Sequence, residues 1–139
     1  MAISKDLSPD EETRLLQAAR GAVENAYAPY SQFRVGAAVL TEKGNMFSGC
    51  NVENASYGLT ICAERAAIFS AVASEGGNNM KIRAICVVAD KDIACSPCGA
   101  CRQVIYEFGP NAVVLFKGSG GLVSVRASEL LPSGFVSYD

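Results

Sequence analysis

Two short stretches, far apart in the chain, constrain it more than anything else: Cys62-Ala63-Glu64-Arg65 and Pro97-Cys98-Gly99-Ala100-Cys101-Arg102. Between them they offer three thiols beside one carboxylate, a set that a fold can use only by bringing both stretches to one point. Both fall at expected helix starts, where unpaired backbone N–H groups favour negative charge, so these thiols should ionise easily. Cys98 and Cys101 are three residues apart, on one helical face, and can share a metal ion. Three thiolates bind zinc tightly and leave one of its four positions for water.

Such a site carries excess negative charge, which weakens the ion's power to acidify water. Arg65 and Arg102 each follow a motif directly and could donate hydrogen bonds to sulfur, which tunes a metal. Arg65 is the preferred donor; for Arg102 the alternative is a solvated surface charge. Glu64, two residues past the first thiol, is placed to exchange protons with the water. The chain contains no histidine. That excludes Ser-His-Asp and Cys-His catalysis and leaves a tuned carboxylate as the acid–base group. The combination reads as a zinc hydrolase acting on an amidine-like carbon. Cys95 extends the second motif to a doubled C-x-x-C, and a competing reading takes Cys62, Cys95, Cys98 and Cys101 as a closed structural site. Cys50 and Cys86 fall in expected strands as small buried apolar residues.

Around these motifs the pattern alternates between helix and strand. Ser8-Pro9-Asp10-Glu11 is a helix start with a capping box, Leu15, Leu16, Ala19, Ala22, Val23 and Ala26 follow at helical spacing, and Pro29 ends the element. Strands are expected over Val35–Thr41 and Met46–Val52 around the turn Glu42-Lys43-Gly44-Asn45. A helix is expected over Ile61–Ser74. Ile82–Ala89 lacks alternation and reads as a central strand buried on both faces. A helix from Cys98 to Phe108, strands over Ala112–Phe116 and Leu122–Val125, a short helix over Ala127–Leu131 and a tail over Pro132–Asp139 complete the order. This predicts one α/β domain over residues 1–139, a three-layer α-β-α sandwich with a mixed sheet of about five strands.

With 139 residues, half of them apolar and 19% charged, the chain can bury a substantial core. Its net charge of −2 gives no basic footprint for nucleic acid. No apolar run is long enough to span a bilayer. Lys5, Asp6, Asp10, Glu11 and Glu12 crowd the N-terminus where a signal peptide would be apolar, so the six cysteines should be reduced thiols in a cytoplasmic protein.

Cys-Ala-Glu-Arg, followed at a distance by Ser-Pro-Cys-Gly-Ala-Cys-Arg, resembles the signature of the zinc-dependent nucleoside deaminases. Tyr30 to Ala38, Asn51 to Tyr57 and Glu129 to Phe135 extend the likeness over nearly the whole chain, toward the small cytidine deaminases of the all-cysteine branch. The resemblance implies one Zn²⁺ per chain on Cys62, Cys98 and Cys101. It implies attack of zinc-held hydroxide on C4 of cytosine in cytidine or deoxycytidine, with Glu64 moving the proton to N3 and then to departing ammonia. It assigns Asn51 and Glu53 to the ribose hydroxyls, Phe33 and Tyr57 to the nucleoside's surroundings, and the Ala63 backbone N–H to the pyrimidine. It further implies pyrimidine salvage by a homotetramer in which Phe135 reaches a neighbouring subunit's pocket. Without the resemblance, Asn51 and Glu53 would read as turn and cap residues and Phe33 as core. Two alternatives accompany it: a deaminase of an antibiotic nucleoside such as blasticidin S, which shares the Pro-Cys-Gly-x-Cys-Arg run, and a non-enzymatic zinc-stabilised module.

Overall fold

The structure, a computed structural model, describes residues 7–137. Lys5, Asp6 and the last two residues of the expected tail lie outside them. The first helix, α1 (Pro9–Val23), starts as its sequence dictates. The Glu11 N–H donates to Ser8 Oγ at 3.1 Å, and the Ser8 N–H donates to Glu11 Oε1 at 3.0 Å, closing the capping box. Its end does not follow the sequence expectation. The helix stops at Val23, not near Pro29, and Ala26 lies outside it. The Tyr27 N–H instead donates to the Asn51 carbonyl, and the Glu53 N–H donates to the Tyr27 carbonyl. A non-local pairing has taken the segment that helical periodicity would have continued.

Strands β1 (Val35–Thr41), β2 (Met46–Cys50), β3 (Ile82–Ala89), β4 (Val113–Gly118) and β5 (Gly121–Arg126) form one sheet in the order β2-β1-β3-β4-β5. The β3–β4 pair is parallel and the rest are antiparallel, so the expected mixed five-stranded sheet is present. Helix α3 (Gly99–Phe108) supplies the crossover that a parallel pair requires. Helices α2 (Ala63–Glu75) and α4 (Ala127–Leu130) complete the elements. The hairpin strand expected to reach Val52 ends at Cys50, because the Val52 backbone turns away to exchange hydrogen bonds with Ile61. At the other hairpin the ladder runs further than expected, pairing Gly118 with Gly121 and leaving a tighter turn.

Alternation within the strands sorts the layers. Ala38, Leu40, Ala84, Cys86, Val113 and Leu115 pack with Leu15 and Ala19 of α1. Ala37, Val39, Ile85, Val87, Val114 and Phe116 face the opposite way, onto Ala67 and Ile68 of α2, Ile105 of α3 and Ala127 of α4. These are the three expected layers, α1 on one side and the other helices on the far side. Close approach depends on Gly36, where a side chain would strike the Ala19 carbonyl of α1. Among the described residues no helix is long and apolar enough to cross a membrane.

One ion pair ties the layers at the surface. Arg83 of β3 donates to both carboxylate oxygens of Glu11, at 2.7 and 2.9 Å. With the capping bond to Ser8, this guanidinium holds the Glu11 carboxyl below its usual range, chiefly through the Arg83 hydrogen bond. A carboxyl with a depressed folded pKa contributes stability above its unfolded pKa and loses it as pH falls through the folded one. Glu11→Gln should therefore cost about 0.5–1 kcal/mol at neutral pH, discounted for solvent exposure. Thermal melts should show this deficit shrinking as the parent is acidified through the carboxylate range. A deficit that persists undiminished in acid would rule the ion pair out as its cause.

Candidate active site

The antiparallel order brings the start of β1 and the ends of β2 and β3 to one end of the sheet, and the site is assembled there. Helix α2 begins at Cys62 and α3 at Cys98, each in the capping position with no side-chain cap bond. Positions that usually hold Ser, Thr, Asp or Asn for the helix's own sake hold thiols here. The two helix tips converge. The sulfurs of Cys62, Cys98 and Cys101 all lie within 4.8 Å of one another, and Cys62 and Cys98 are 3.9 Å apart. Tetrahedral zinc with Zn–S bonds of about 2.3 Å needs sulfurs roughly 3.8 Å apart, so this donor set fits the ion. Cys95 is not a member of the group. It packs against the core, and burial pushes its thiol up to about 11. The geometry thus favours three sulfurs over a closed set of four.

Of the thiols expected to ionise easily, Cys62 and Cys101 move in opposite directions. Cys62 is pulled down to about 5, first by hydrogen bonding with Cys101 and then by Arg65, against the effect of burial. Arg65 Nη2 donates to Cys62 Sγ at 3.3 Å. Cys101 is pushed far above the usual thiol range by the same thiol–thiol bond and by burial. Crowded thiols compete for negative charge, and a divalent cation relieves that competition.

Glu64 stands in the first turn of α2 with only 5% of its surface exposed. Burial, the largest influence, pushes its carboxyl up to about 7, and the charge of Cys62 adds to the rise. A cavity of about 190 Å³ opens beside it, lined by Phe33, Asn51, Thr60, Cys62, Ala63 and Cys98 among others. Ala63 is fully buried at the first helical position, where its N–H has no partner within the helix. A second hollow of about 320 Å³, lined by Tyr30, Ser31, Glu53, Tyr57 and Thr60, shares Thr60 with the first. A larger hollow of about 730 Å³ lies at the other end of the sheet beside Lys81 and Pro110 and contains none of the sulfurs.

Asn51 and Glu53 each do more than line a wall. Asn51 is 8% exposed; its Oδ1 accepts from the Val35 N–H and its Nδ2 donates to the Phe33 carbonyl, both at 2.9 Å. It thereby sets the backbone that carries Phe33. Glu53 accepts from the backbone N–H groups of Tyr30 and Ser31 at 2.9 and 3.1 Å and from the Ser31 hydroxyl. The hydroxyl bond, first of these, holds its carboxyl below the usual range. Tyr57 sits in a 3-10 turn, largely exposed, its ring edge-on to Tyr30 at 5.9 Å. Phe135 lines neither hollow of its own chain. Its backbone is held on α3 by Gln103 and the residue is 71% exposed.

Arg102 fits neither sequence expectation. Its side chain donates to the carbonyls of Pro97 and Leu130, so it is neither bonded to sulfur here nor a free surface charge. Thr60, Ser31 and Gln103 carried no signal in the sequence, since a lone hydroxyl or amide in a loop or helix has many uses.

Residues 9–117 match the model of the cytidine and deoxycytidylate deaminase zinc-binding region. The chain belongs to the cytidine and deoxycytidylate deaminase family. Among relatives of this deaminase-family chain, the cytidine deaminase of Sporosarcina psychrophila is 47% identical over 128 residues, covering 91% of this chain and 92% of the relative. That of Halalkalibacterium halodurans is 48% identical over 127 residues, covering 90% and 94%. The crystal structure of cytidine deaminase from Burkholderia pseudomallei superposes with a TM-score of 0.78 at 49% identity, covering 88% of this chain and 98% of that one. The three-sulfur cluster therefore sits in a chain whose family is described by its zinc-binding region.

Proposed function

We propose that this chain is a zinc-dependent hydrolase that converts cytidine and deoxycytidine, with water, into uridine and deoxyuridine plus ammonia. The observation that carries the reading is a carboxyl, Glu64, buried beside a cavity of about 190 Å³ and against three sulfurs spaced for zinc. When bound to Cys62, Cys98 and Cys101, zinc supplies the Lewis acidity that lets a water ionise near neutral pH. Glu64 accepts the proton that the attacking water gives up and delivers it to N3 of the ring. It then carries the second proton of that water, from the new hydroxyl at C4, to the amino group, which leaves as ammonia. A carboxyl raised toward neutrality by burial suits traffic in both directions. Arg65 withdraws charge from Cys62 through its hydrogen bond to the sulfur. The Ala63 N–H and the Phe33 ring hold the pyrimidine in the inner cavity. Asn51 and Glu53 take the ribose hydroxyls with lone pairs or an N–H left over from their backbone bonds, and Tyr57 borders that hollow.

The chain acts as one catalytic unit over its whole length, in pyrimidine salvage. We place it in the cytoplasm, a compartment consistent with its six free thiols. It works as a homotetramer in which Phe135 completes a neighbouring subunit's pocket. Exposed Tyr27, Tyr57, Leu59, Phe69 and Phe135 support a chain that buries further apolar surface on assembly. A net charge of −2 supports a small nucleoside over a nucleic acid as substrate.

Mixing zinc-loaded protein with cytidine should diminish the cytidine absorbance as uridine forms. An unchanged spectrum would sink the reading. Faster turnover of blasticidin S than of cytidine would move the substrate to the antibiotic nucleosides and leave the chemistry intact.

A further inference from the structure

Of the three sulfurs, Cys98 is the one that the surrounding protein holds least directly. Cys62 receives a hydrogen bond from Arg65, and Cys101 is fully buried within the first turn of α3. Cys98 is exposed, makes no side-chain cap bond to its own helix, and follows the loop that leaves β3. A ligand in that situation is only as well placed as the turn that carries it.

Arg102 grips that turn at two successive carbonyls. Its backbone N–H donates to the Cys98 carbonyl at 2.9 Å, and its Nε donates to the Pro97 carbonyl at 2.8 Å. Nη1 of the same guanidinium donates to the Leu130 carbonyl at 3.1 Å, at the end of α4. That helix is itself anchored where the chain enters β4. The Ala127 N–H donates to the Ala112 carbonyl and the Ser128 N–H to the Pro110 carbonyl, both at 2.9 Å. A continuous path of hydrogen bonds thus runs from the entry of β4 through α4 and Arg102 to the residue before Cys98. The rigid, planar fork of arginine can hold two carbonyls in fixed relation, whereas an ammonium on a flexible stem can reach them only as a point donor.

The geometry points to Arg102 as a positioning residue that sets how firmly Cys98 holds the ion. It acts through the Pro97 carbonyl and touches neither the ion nor the nucleoside. The inference rests on the reading of Cys62, Cys98 and Cys101 as zinc ligands. Loosening the turn lets Cys98 leave the ion more often, so the rate of metal loss rises, while most of the cavity that binds the nucleoside is built on segments that Arg102 does not touch and keeps its shape. Outer partners of this kind are worth about 10–100-fold in metal affinity or activity.

The test uses the zinc-loaded full chain and two variants, Arg102→Gln and Arg102→Lys, with Glu11→Gln as a remote control. Zinc release to an excess of a coloured chelator is timed, and the thiolate-to-cobalt absorption band is recorded after cobalt substitution. Arg102→Gln should release zinc roughly 10–100-fold faster than the parent. Its cobalt band should shift or weaken, and its KM for cytidine should stay within about twofold as kcat falls. Arg102→Lys should lie between the two, and it carries the test should the glutamine variant fail to fold. The control should melt lower yet release zinc at the parental rate. Parental release rates and an unaltered cobalt band in the Arg102 variants, whatever their melting temperatures, overturn the brace. A parent that takes up no zinc and deaminates nothing overturns the underlying reading and the brace together. That result differs from a failure of the brace alone, in which the parent is loaded and active.

Discussion

Glu64→Gln should reduce turnover of cytidine by roughly 10²–10⁴-fold, the contribution of a positioned proton carrier. The amide matches the carboxyl in size, so the buried site need not repack, and it can still hydrogen bond to a ring nitrogen. It cannot accept a proton from water and hand it on. The carboxyl it replaces is 5% exposed and is pushed up to about 7 mainly by burial, so a neutral amide is well tolerated there. Zinc content and melting temperature should consequently match the parent's or exceed them. The loss should appear in kcat rather than in KM, because the ring and ribose contacts remain. Absorbance kinetics combined with metal analysis separate these effects. A glutamine variant with parental kcat would remove Glu64 from the chemistry and with it the enzymatic account of the site.

Cys101→Ala should abolish activity and bring zinc from about one per chain to a small residue. Cys101 is the fully buried sulfur, and its removal leaves only two thiols, on separate helices, to hold the ion. The fold should survive, because both faces of the sheet carry apolar cores outside the cluster. It should nevertheless melt lower. An ion present at 100 times its Kd stabilises the folded chain by about 2.7 kcal/mol. For a domain of this size that corresponds to roughly 5–10 °C. Chelating the parent should give the same activity loss, reversed on adding zinc. Cys95→Ser is the informative contrast: its sulfur is not in the cluster, so zinc content should remain at the parental level. Stoichiometric zinc in Cys101→Ala, or zinc loss in Cys95→Ser, would require a different ligand set.

Much of this arrangement is legible along the chain because it rests on local chemistry. The capping box of Ser8 and Glu11 involves residues three apart, and both of its hydrogen bonds form. The β-branched run at Ile82–Ala89 becomes the middle strand of five, covered on both faces. Cys62, Glu64, Cys98 and Cys101 stand out because thiols and a carboxylate at such spacing have few other uses. Boundaries were harder to read. Helix α1 gives way at Val23 because the Tyr27 backbone pairs with Asn51 and Glu53, residues that no window around Tyr27 contains. Strand β2 ends at Cys50 for a similar reason, since Val52 pairs with Ile61.

Arg102 marks the limit most sharply. Beside a ligand motif, a guanidinium has obvious uses on thiolate sulfur or in solvent, and adjacency cannot distinguish them. Its actual partners are a carbonyl at the foot of the same helix and another from the far end of the chain. The amino-acid sequence by itself determined the layered α/β class, the sulfur and carboxylate chemistry, and the helix starts on which those groups ride, because each depends on residues within a turn or two of one another. Only the tertiary structure decided that the two helix tips meet, that Cys95 lines the cavity without joining the sulfur cluster, that Glu64 is dry enough to hold a proton near neutrality, and which carbonyls Arg102 grips. Those outcomes depend on distances and solvent exclusion between segments remote in sequence, which are set only when the strands pair and the helices close over them.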